Sequence, residues 1–227
     1  MEFKDRHVVV TGGMGALGAA VVTLLASRGA VCHVPSFTLP KDGAQPDGVH
    51  VRGPIDLSSE DQVADYYEGI PELWASVHVA GGFGMSPLTE TTLEAFEAQW
   101  RLNTVTAFLC CREATRALRR HGGGGRLVNT IARPALEATA GMIAYSVAKA
   151  GVAALTTSLA AELNSEAILV NAVAPSIMDT PSNRAAMPDA EHTAWPKVSE
   201  VAEAMAFLAS PLNTLTHGAL MPVYGRL

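Results

Sequence analysis

The sequence predicts an α/β fold: a Rossmann-type doubly wound parallel sheet of about seven strands, in a single domain spanning residues 1–227. Three observations carry this. Short apolar runs alternate with helix-length runs along the whole chain, with no internal repeat or low-complexity tract. The first strand-like run leads straight into a glycine-rich turn that opens a helix. A chain of 227 residues, 48% hydrophobic and 17% charged, holds one full core but is too short for two domains.

His7 to Val10 reads as a short buried strand, followed by Thr11-Gly12-Gly13-Met14-Gly15-Ala16-Leu17-Gly18 and a helix from Ala19 to Arg28. Glycines let the backbone turn tightly and approach a pyrophosphate, whose charge is stabilised by the free amides and dipole of the helix N-terminus. A plain tight turn would use the same residues. Gly29 to Pro35 is the second strand, and at its C-terminal end such folds present a carboxylate to the adenosine ribose or an Arg to a 2′-phosphate. Here Ser36 and Phe37 stand at that point, so the choice between NAD and NADP stays open. Phe37 to Gly48 reads as a surface loop, and Val49 to Arg52 as a third strand leading to Asp56-Leu57. Asp56 either accepts from an adenine amino group or caps a helix over Ser58 to Gly69.

Ala75 to Ala80 is the fourth strand, ending in Gly81-Gly82-Phe83-Gly84, where open α/β sheets bind ligands. Thr91 with Glu94 resembles a capping box, opening a helical region that runs, with room for a break, through Trp100 and Asn103 to about His121. Gly122 to Gly125 reads as a loose connection to a strand over Arg126 to Ile131, rather than as a phosphate cradle. A helix carrying Tyr145 and Lys149 extends to about Asn164, with a small-residue face at Ala144, Ala148, Gly151 and Ala154 suited to close packing. Ile168 to Val173 is the sixth strand and ends at Ala174-Pro175-Ser176. Ile177 to Pro196 is expected to be irregular and able to act as a lid. A helix over Ser199 to Ala209 and a strand over Leu220 to Val223 complete the order.

Tyr145-x-x-x-Lys149 carries the chemistry. Residues four apart share a helix face, so the ammonium is expected to favour the ionised phenol and let Tyr145 pass a proton near neutral pH. The pair is common on ordinary helices, and its neighbours in the chain are what give it weight. Trp195, Phe83 and Met142 are candidates for stacking on a flat ring, with core packing as the simpler reading, and Arg133 reads as a solvated loop residue.

A net charge of -6 without a basic run speaks against nucleic acid. Cys32, Cys110 and Cys111 lie in apolar runs, as buried reduced thiols of a cytoplasmic protein do. The charged opening runs directly into a strand, so no signal peptide is expected, and no apolar run is expected to reach membrane-spanning length. The seven histidines show no ligand spacing, so no metal is expected.

With these motifs in hand, the chain resembles the short-chain dehydrogenase/reductase family over essentially its whole length. The resemblance rests on Thr11 to Gly18, Ala80-Gly81, Tyr145-x-x-x-Lys149, and Asn171-Ala172-Val173-Ala174-Pro175 followed by Thr180-Pro181. It implies an NAD(P)-dependent enzyme acting on a small molecule. It implies Tyr145 as general acid or base, Lys149 as the group that lowers its pKa and holds the nicotinamide ribose, and Asn103 as support for a water relay. The cofactor would be held by Gly12, Gly13, Met14, Gly15, Ala16, Leu17, Gly18, Ser36, Asp56, Leu57, Ala80, Gly81, Gly82, Tyr145, Lys149, Pro175, Ser176 and Thr180. Homodimers or homotetramers through the Asn103 and Tyr145 helices are implied in the same way.

The departures from the family pattern point to one branch. The family Ser thirteen residues before the Tyr is replaced by Ala132, and Thr130 would face the same side but roughly 6–7 Å away along a strand. Ala16 replaces the middle glycine of the turn, and Ser176 stands where a glycine is usual. Together with Gly12 to Gly18, Val79 to Phe83, Gly141 to Tyr145 and Asp179 to Pro188, these resemble the dihydropteridine reductase branch, which reduces a quinonoid dihydropterin without the Ser. A quinonoid ring is already electron-poor, so positioning and one proton donor can suffice. An ordinary carbonyl reductase and a non-catalytic dinucleotide-binding protein are the alternatives.

Overall fold

The computed structural model describes residues 2–38, 46–122 and 124–226. In chain order the main elements are β1 (His7–Thr11), α1 (Ala16–Ser27), β2 (Val31–Pro35), β3 (Val49–Arg52), α2 (Glu60–Glu68), β4 (Leu73–His78), α3 (Leu93–Trp100), α4 (Thr106–His121), β5 (Gly125–Thr130), α5 (Ile143–Glu162), β6 (Ile168–Pro175), α6 (Pro181–Ala186), α7 (Val198–Ala209) and β7 (Leu220–Val223). The strands form one seven-stranded parallel sheet in the order β3-β2-β1-β4-β5-β6-β7. The order reverses between β1 and β4, which opens a crevice at the C-terminal ends of those strands.

Helices cover both faces of the sheet, which is why its strands read as continuous apolar runs. Val8 and Val10 pack with Leu17, Val21 and Leu25 of α1 and with Val201, Met205 and Leu208 of α7. Val9, on the opposite face, packs with Val63, Tyr66 and Tyr67 of α2 and with Leu109 and Leu118 of α4. Ile131, Val152, Ala153, Ala172 and Ala174 form a smaller cluster under α5.

Several boundaries differ from the sequence reading. Helix α1 starts at Ala16, so the second half of the glycine turn is already helical. Strand β4 ends at His78, leaving Val79 to Gly82 outside the sheet. Thr92, not Thr91, caps α3: its hydroxyl accepts from the Ala95 amide at 3.1 Å, while Thr91 donates to the Pro87 carbonyl at 2.9 Å. The break in the long helix is a π-helical turn over Arg101–Val105. The expected irregular segment after β6 contains α6, capped by Thr180, and a 3-10 turn at His192–Ala194. The loop expected over Phe37 to Gly48 falls in large part on residues 39–45, outside the described residues, as does Gly123 of the four-glycine connection.

One expectation is overturned. Helix α5, with 20 residues and a mean hydropathy of 1.3, is long and apolar enough to cross a membrane by length and composition. Its hydropathy serves packing in this fold: Ala148 and Val152 are buried. A Cβ at Gly151 would stand 2.9 Å from Trp100 and 3.0 Å from Thr104, and the Thr104 hydroxyl donates to the Ala148 carbonyl at 2.8 Å.

Candidate functional site

A cavity of about 430 Å³ opens at the C-terminal ends of the central strands. Its wall comes from the glycine turn (Gly12, Gly15, Ala16, Leu17, Gly18), the segment after β4 (Val79 to Phe83), the end of β5 (Thr130 to Ala132), Asn103, Tyr145 and Lys149, and the end of β6 (Pro175, Ser176, Met178). Two glycines are demanded by backbone contact. Gly12 has φ +66 and no room for a Cβ, which would stand 2.7 Å from the Ala80 amide nitrogen; a Cβ at Gly18 would reach 2.1 Å from the Gly12 carbonyl oxygen. The turn folds back on itself, with the Gly15 amide donating to the Gly12 carbonyl at 2.9 Å, and presents the N-terminus of α1 to the cavity.

Asn103 lies in the π-helical turn, a feature common at functional sites. Its side chain is fully buried and fully engaged: Oδ1 accepts from the Gly82 amide at 3.2 Å, and Nδ2 donates to the carbonyls of Gly82 and Gln99 at 3.0 Å each. It thereby clamps the β4 glycine segment to the helix. A Cβ at Gly81 would stand 2.5 Å from Asn103 Oδ1 and 3.3 Å from Lys149 Nζ, so the wall is close-packed here.

Lys149 is buried, and its Nζ donates to the Thr130 carbonyl at 2.9 Å. Burial pushes the ammonium down to about 8. Tyr145 stacks edge-on with Phe83 at 5.1 Å, and Lys149 Nζ lies 6.0 Å from its ring centroid. Burial pushes the phenol up to about 12. This corrects the expectation that Lys149 lowers the Tyr145 pKa in the protein alone. Both groups sit in one desolvated pocket, each is driven toward its neutral form, and the ammonium is turned to the Thr130 carbonyl rather than to the phenol.

Ala132 is buried in the wall and offers a methyl. The Thr130 hydroxyl oxygen is also buried and has no hydrogen-bond partner among the described residues. Ser176 donates to the Tyr224 carbonyl at 2.9 Å.

The structure does not gather every sequence candidate into this cavity. Gly13, Met14, Ser36, Asp56, Leu57 and Thr180 lie outside the wall. A Cβ at Gly13 would meet Val34 and Val22 of the core, and Met14 is 55% exposed. The Ser36 hydroxyl donates to the Thr38 carbonyl. Asp56 Oδ1 accepts from the amide and hydroxyl of Ser58, both at 2.8 Å, at the entry to α2. Thr180 accepts from the Asn183 amide as the α6 cap. Trp195 is buried against His192, Arg133 pairs with Glu137 at 2.8 Å, and Met142 lines a separate hollow of about 280 Å³ with Met85. Val79, Ile131 and Met178 were not legible as wall residues, because an apolar residue at a strand end looks the same in sequence whether it meets core or cavity. Among the described residues no group of three or more His, Cys, Asp and Glu could hold a metal ion.

Comparison with known proteins identifies the family. The family model described as short chain dehydrogenase matches residues 6–191. The cis-4-hydroxycyclohexanecarboxylate dehydrogenase of Sinomonas cyclohexanicum is 34% identical over 245 residues, covering 98% of this chain and 96% of that protein. Carbonyl reductase family member 4 of Danio rerio is 31% identical over 239 residues, covering 98% of each. Among solved structures, a short-chain type dehydrogenase/reductase from Mycobacterium ulcerans superposes with a TM-score of 0.88 at 25% identity, over 100% of this chain and 90% of that one. ElxO with NADP bound shares the fold, with a TM-score of 0.89 at 22% identity over 97% and 98% of the two chains. The chain belongs to the short-chain dehydrogenase family, and is an NAD(P)-dependent oxidoreductase.

Proposed function

We propose that this short-chain dehydrogenase reduces an activated conjugated substrate, quinonoid dihydropterin-like or quinone-like, with Tyr145 as the proton donor and Lys149 as its electrostatic partner. The observation that carries this reading is Ala132, a methyl in the cavity wall where the family resemblance expects a hydroxyl to polarise a carbonyl oxygen. A substrate that is electron-poor before it arrives tolerates that loss.

The residues present fit a nicotinamide dinucleotide: a glycine cradle with no room for Cβ atoms, a helix N-terminus facing the cavity, and an orphaned hydroxyl in the wall. Gly12 and Gly15 to Gly18 would receive the pyrophosphate, Ala80 to Gly82, Pro175 and Ser176 the nicotinamide half, and Gly13, Met14, Ser36, Asp56, Leu57 and Thr180 would support the turn and the adenosine and loop contacts. When bound, the cofactor supplies the hydride. Burial keeps the Tyr145 phenol protonated, which suits the reductive direction: it hands its proton to the substrate atom that gains electron density. Lys149, held by the Thr130 carbonyl, offsets the phenolate that results. Asn103 acts by fixing the Gly82 segment against the helix. Phe83, 63% exposed beside Tyr145, gives the mouth an apolar edge for a flat ring.

A carbonyl or hydroxyl oxidoreductase is the second reading, favoured by the names of the two curated relatives. Oxidation of NADH and of NADPH, followed at the nicotinamide absorbance with quinonoid dihydropterin, a simple quinone and an ordinary ketone, separates them. Turnover of the pterin or quinone without the ketone supports the first reading; turnover of the ketone alone overturns it. Cofactor binding with no turnover of any of the three would overturn both substrate readings. We propose further that the single domain works in the cytoplasm as a homodimer or homotetramer. Exposed Leu102, Phe108, Ile143 and Val147 on the π-helical turn, α4 and α5 support an assembly. Light scattering that finds only monomer at micromolar concentration would overturn that.

A further inference from the structure

We propose that the Thr130 hydroxyl is a cofactor-binding group, making a hydrogen bond to the nicotinamide end of the bound dinucleotide; this rests on reading the cavity as the dinucleotide site. Thr130 is the last residue of β5 and part of the cavity wall. Its hydroxyl oxygen is buried yet has no partner among the described residues, whereas Thr104, Thr106, Thr115 and Thr156 in the helices around it each donate to a backbone carbonyl. A buried polar group left unpaired carries a desolvation cost, so one that persists in a cavity wall is matched to something that enters the cavity.

The direction of the side chain selects the cofactor over the substrate. Side chains alternate along a strand. Val128, two residues earlier, belongs to the cluster on the α1 and α7 face, while Ile131 belongs to the cluster under α5, the helix that carries Tyr145. Thr130 therefore leans to the face from which the α1 N-terminus and Met178 approach, and it sits one strand repeat deeper than Ala132. The same residue serves twice: its carbonyl holds Lys149 and its hydroxyl is left for the ligand. A hydroxyl both donates and accepts, which matches the donor and acceptor of a carboxamide or the hydroxyls of a ribose.

Thr130→Val keeps the shape of the side chain and removes the hydroxyl. Three readouts on the purified protein test the inference: thermal midpoint without ligand, binding of NADPH and NADH by titration, and binding of ADP-ribose, which lacks the nicotinamide. The expected result is an unchanged or raised midpoint, binding of the preferred dinucleotide about three- to tenfold weaker, and unchanged ADP-ribose binding, with Thr130→Ser restoring dinucleotide affinity. A lowered midpoint would mean the hydroxyl is already paired inside the protein, and equal dinucleotide affinity would mean it meets no ligand atom; either overturns the inference. Equal weakening toward ADP-ribose would overturn the nicotinamide assignment. Failure of the wild-type protein to bind NADH or NADPH would instead overturn the dinucleotide reading itself.

Discussion

Asn129 and Thr130 are neighbours on β5, and they belong to two polar regions built in opposite ways. Asn129 sits in a closed chain under the sheet. The Tyr67 and Ser76 hydroxyls lie 2.7 Å apart, Ser76 Oγ is 2.8 Å from His78 Nε2, His78 Nδ1 is 2.7 Å from Asn129 Oδ1, and Asn129 Nδ2 donates to Thr156 Oγ1 at 3.0 Å. Thr156 ends the chain on the Val152 carbonyl at 2.8 Å. One proton arrangement satisfies every link: neutral His78 donates from Nδ1 and accepts at Nε2, and burial favours that neutral form by pushing the imidazole down to about 4. Thr130, one residue further, opens onto a cavity where Lys149 and Tyr145 are desolvated, Lys149 donates to a backbone carbonyl rather than to the phenol, and a hydroxyl has no partner among the described residues. A polar group that finds its partners inside the chain ties strands and helices together; the Thr130 hydroxyl, unpaired in a cavity wall, is the group proposed to meet a ligand.

The sharpest way to break this comparison is at the open region. Tyr145→Phe should lower turnover about 10²- to 10⁴-fold while leaving dinucleotide binding intact, measured by steady-state kinetics beside a binding titration. Unchanged turnover would remove Tyr145 from the chemistry.

In the closed region the effect should fall on stability. Asn129→Ala takes the acceptor from His78 Nδ1 and cuts the tie to Thr156, and should cost about 2–4 kcal/mol in urea unfolding, with turnover per folded molecule retained. A loss below about 0.5 kcal/mol would mean that the chain is not a structural tie.

The two regions should also separate by pH. The folded-state pKa of His78 is depressed from 6.5 to about 4, so the unfolded chain binds more protons between those values. Stability should therefore rise with pH through that window and fall on acidification, and His78→Gln should flatten its share of the slope. Lys149 is depressed from 10.5 to about 8, which again leaves the unfolded chain holding more protons, here between pH 8 and 10.5. The cost of burying its charge is in force below pH 8 and relieved above it, so stability should gain in that alkaline window in wild type and not in Lys149→Met. Thermal midpoints across the two windows check both signs.

The smallest effect is expected at Ala132. Ala132→Ser returns a hydroxyl to the wall and should raise ketone turnover by less than about tenfold while leaving pterin or quinone turnover nearly unchanged. A large gain would sharpen the comparison by showing that one further polar group in the open region controls which substrates react.

Much of this was legible in the linear chain, because it depends on neighbours within about four residues. The alternation of strand and helix, the glycine turn, Tyr145 four residues before Lys149, and the methyl at Ala132 are local patterns, and local sterics and hydrogen bonding govern them. The sequence thus determined the sheet, the place of the crevice and the family. What it could not carry was any property set by residues distant in sequence. That Asn103 clamps Gly82, that Ser36 lies outside the wall, and that Lys149 turns to the Thr130 carbonyl are decided by packing across the fold. Desolvation is likewise a property of everything packed around a group, so the raised phenol and lowered ammonium, opposite to what helix spacing suggested, were decided by the tertiary structure alone.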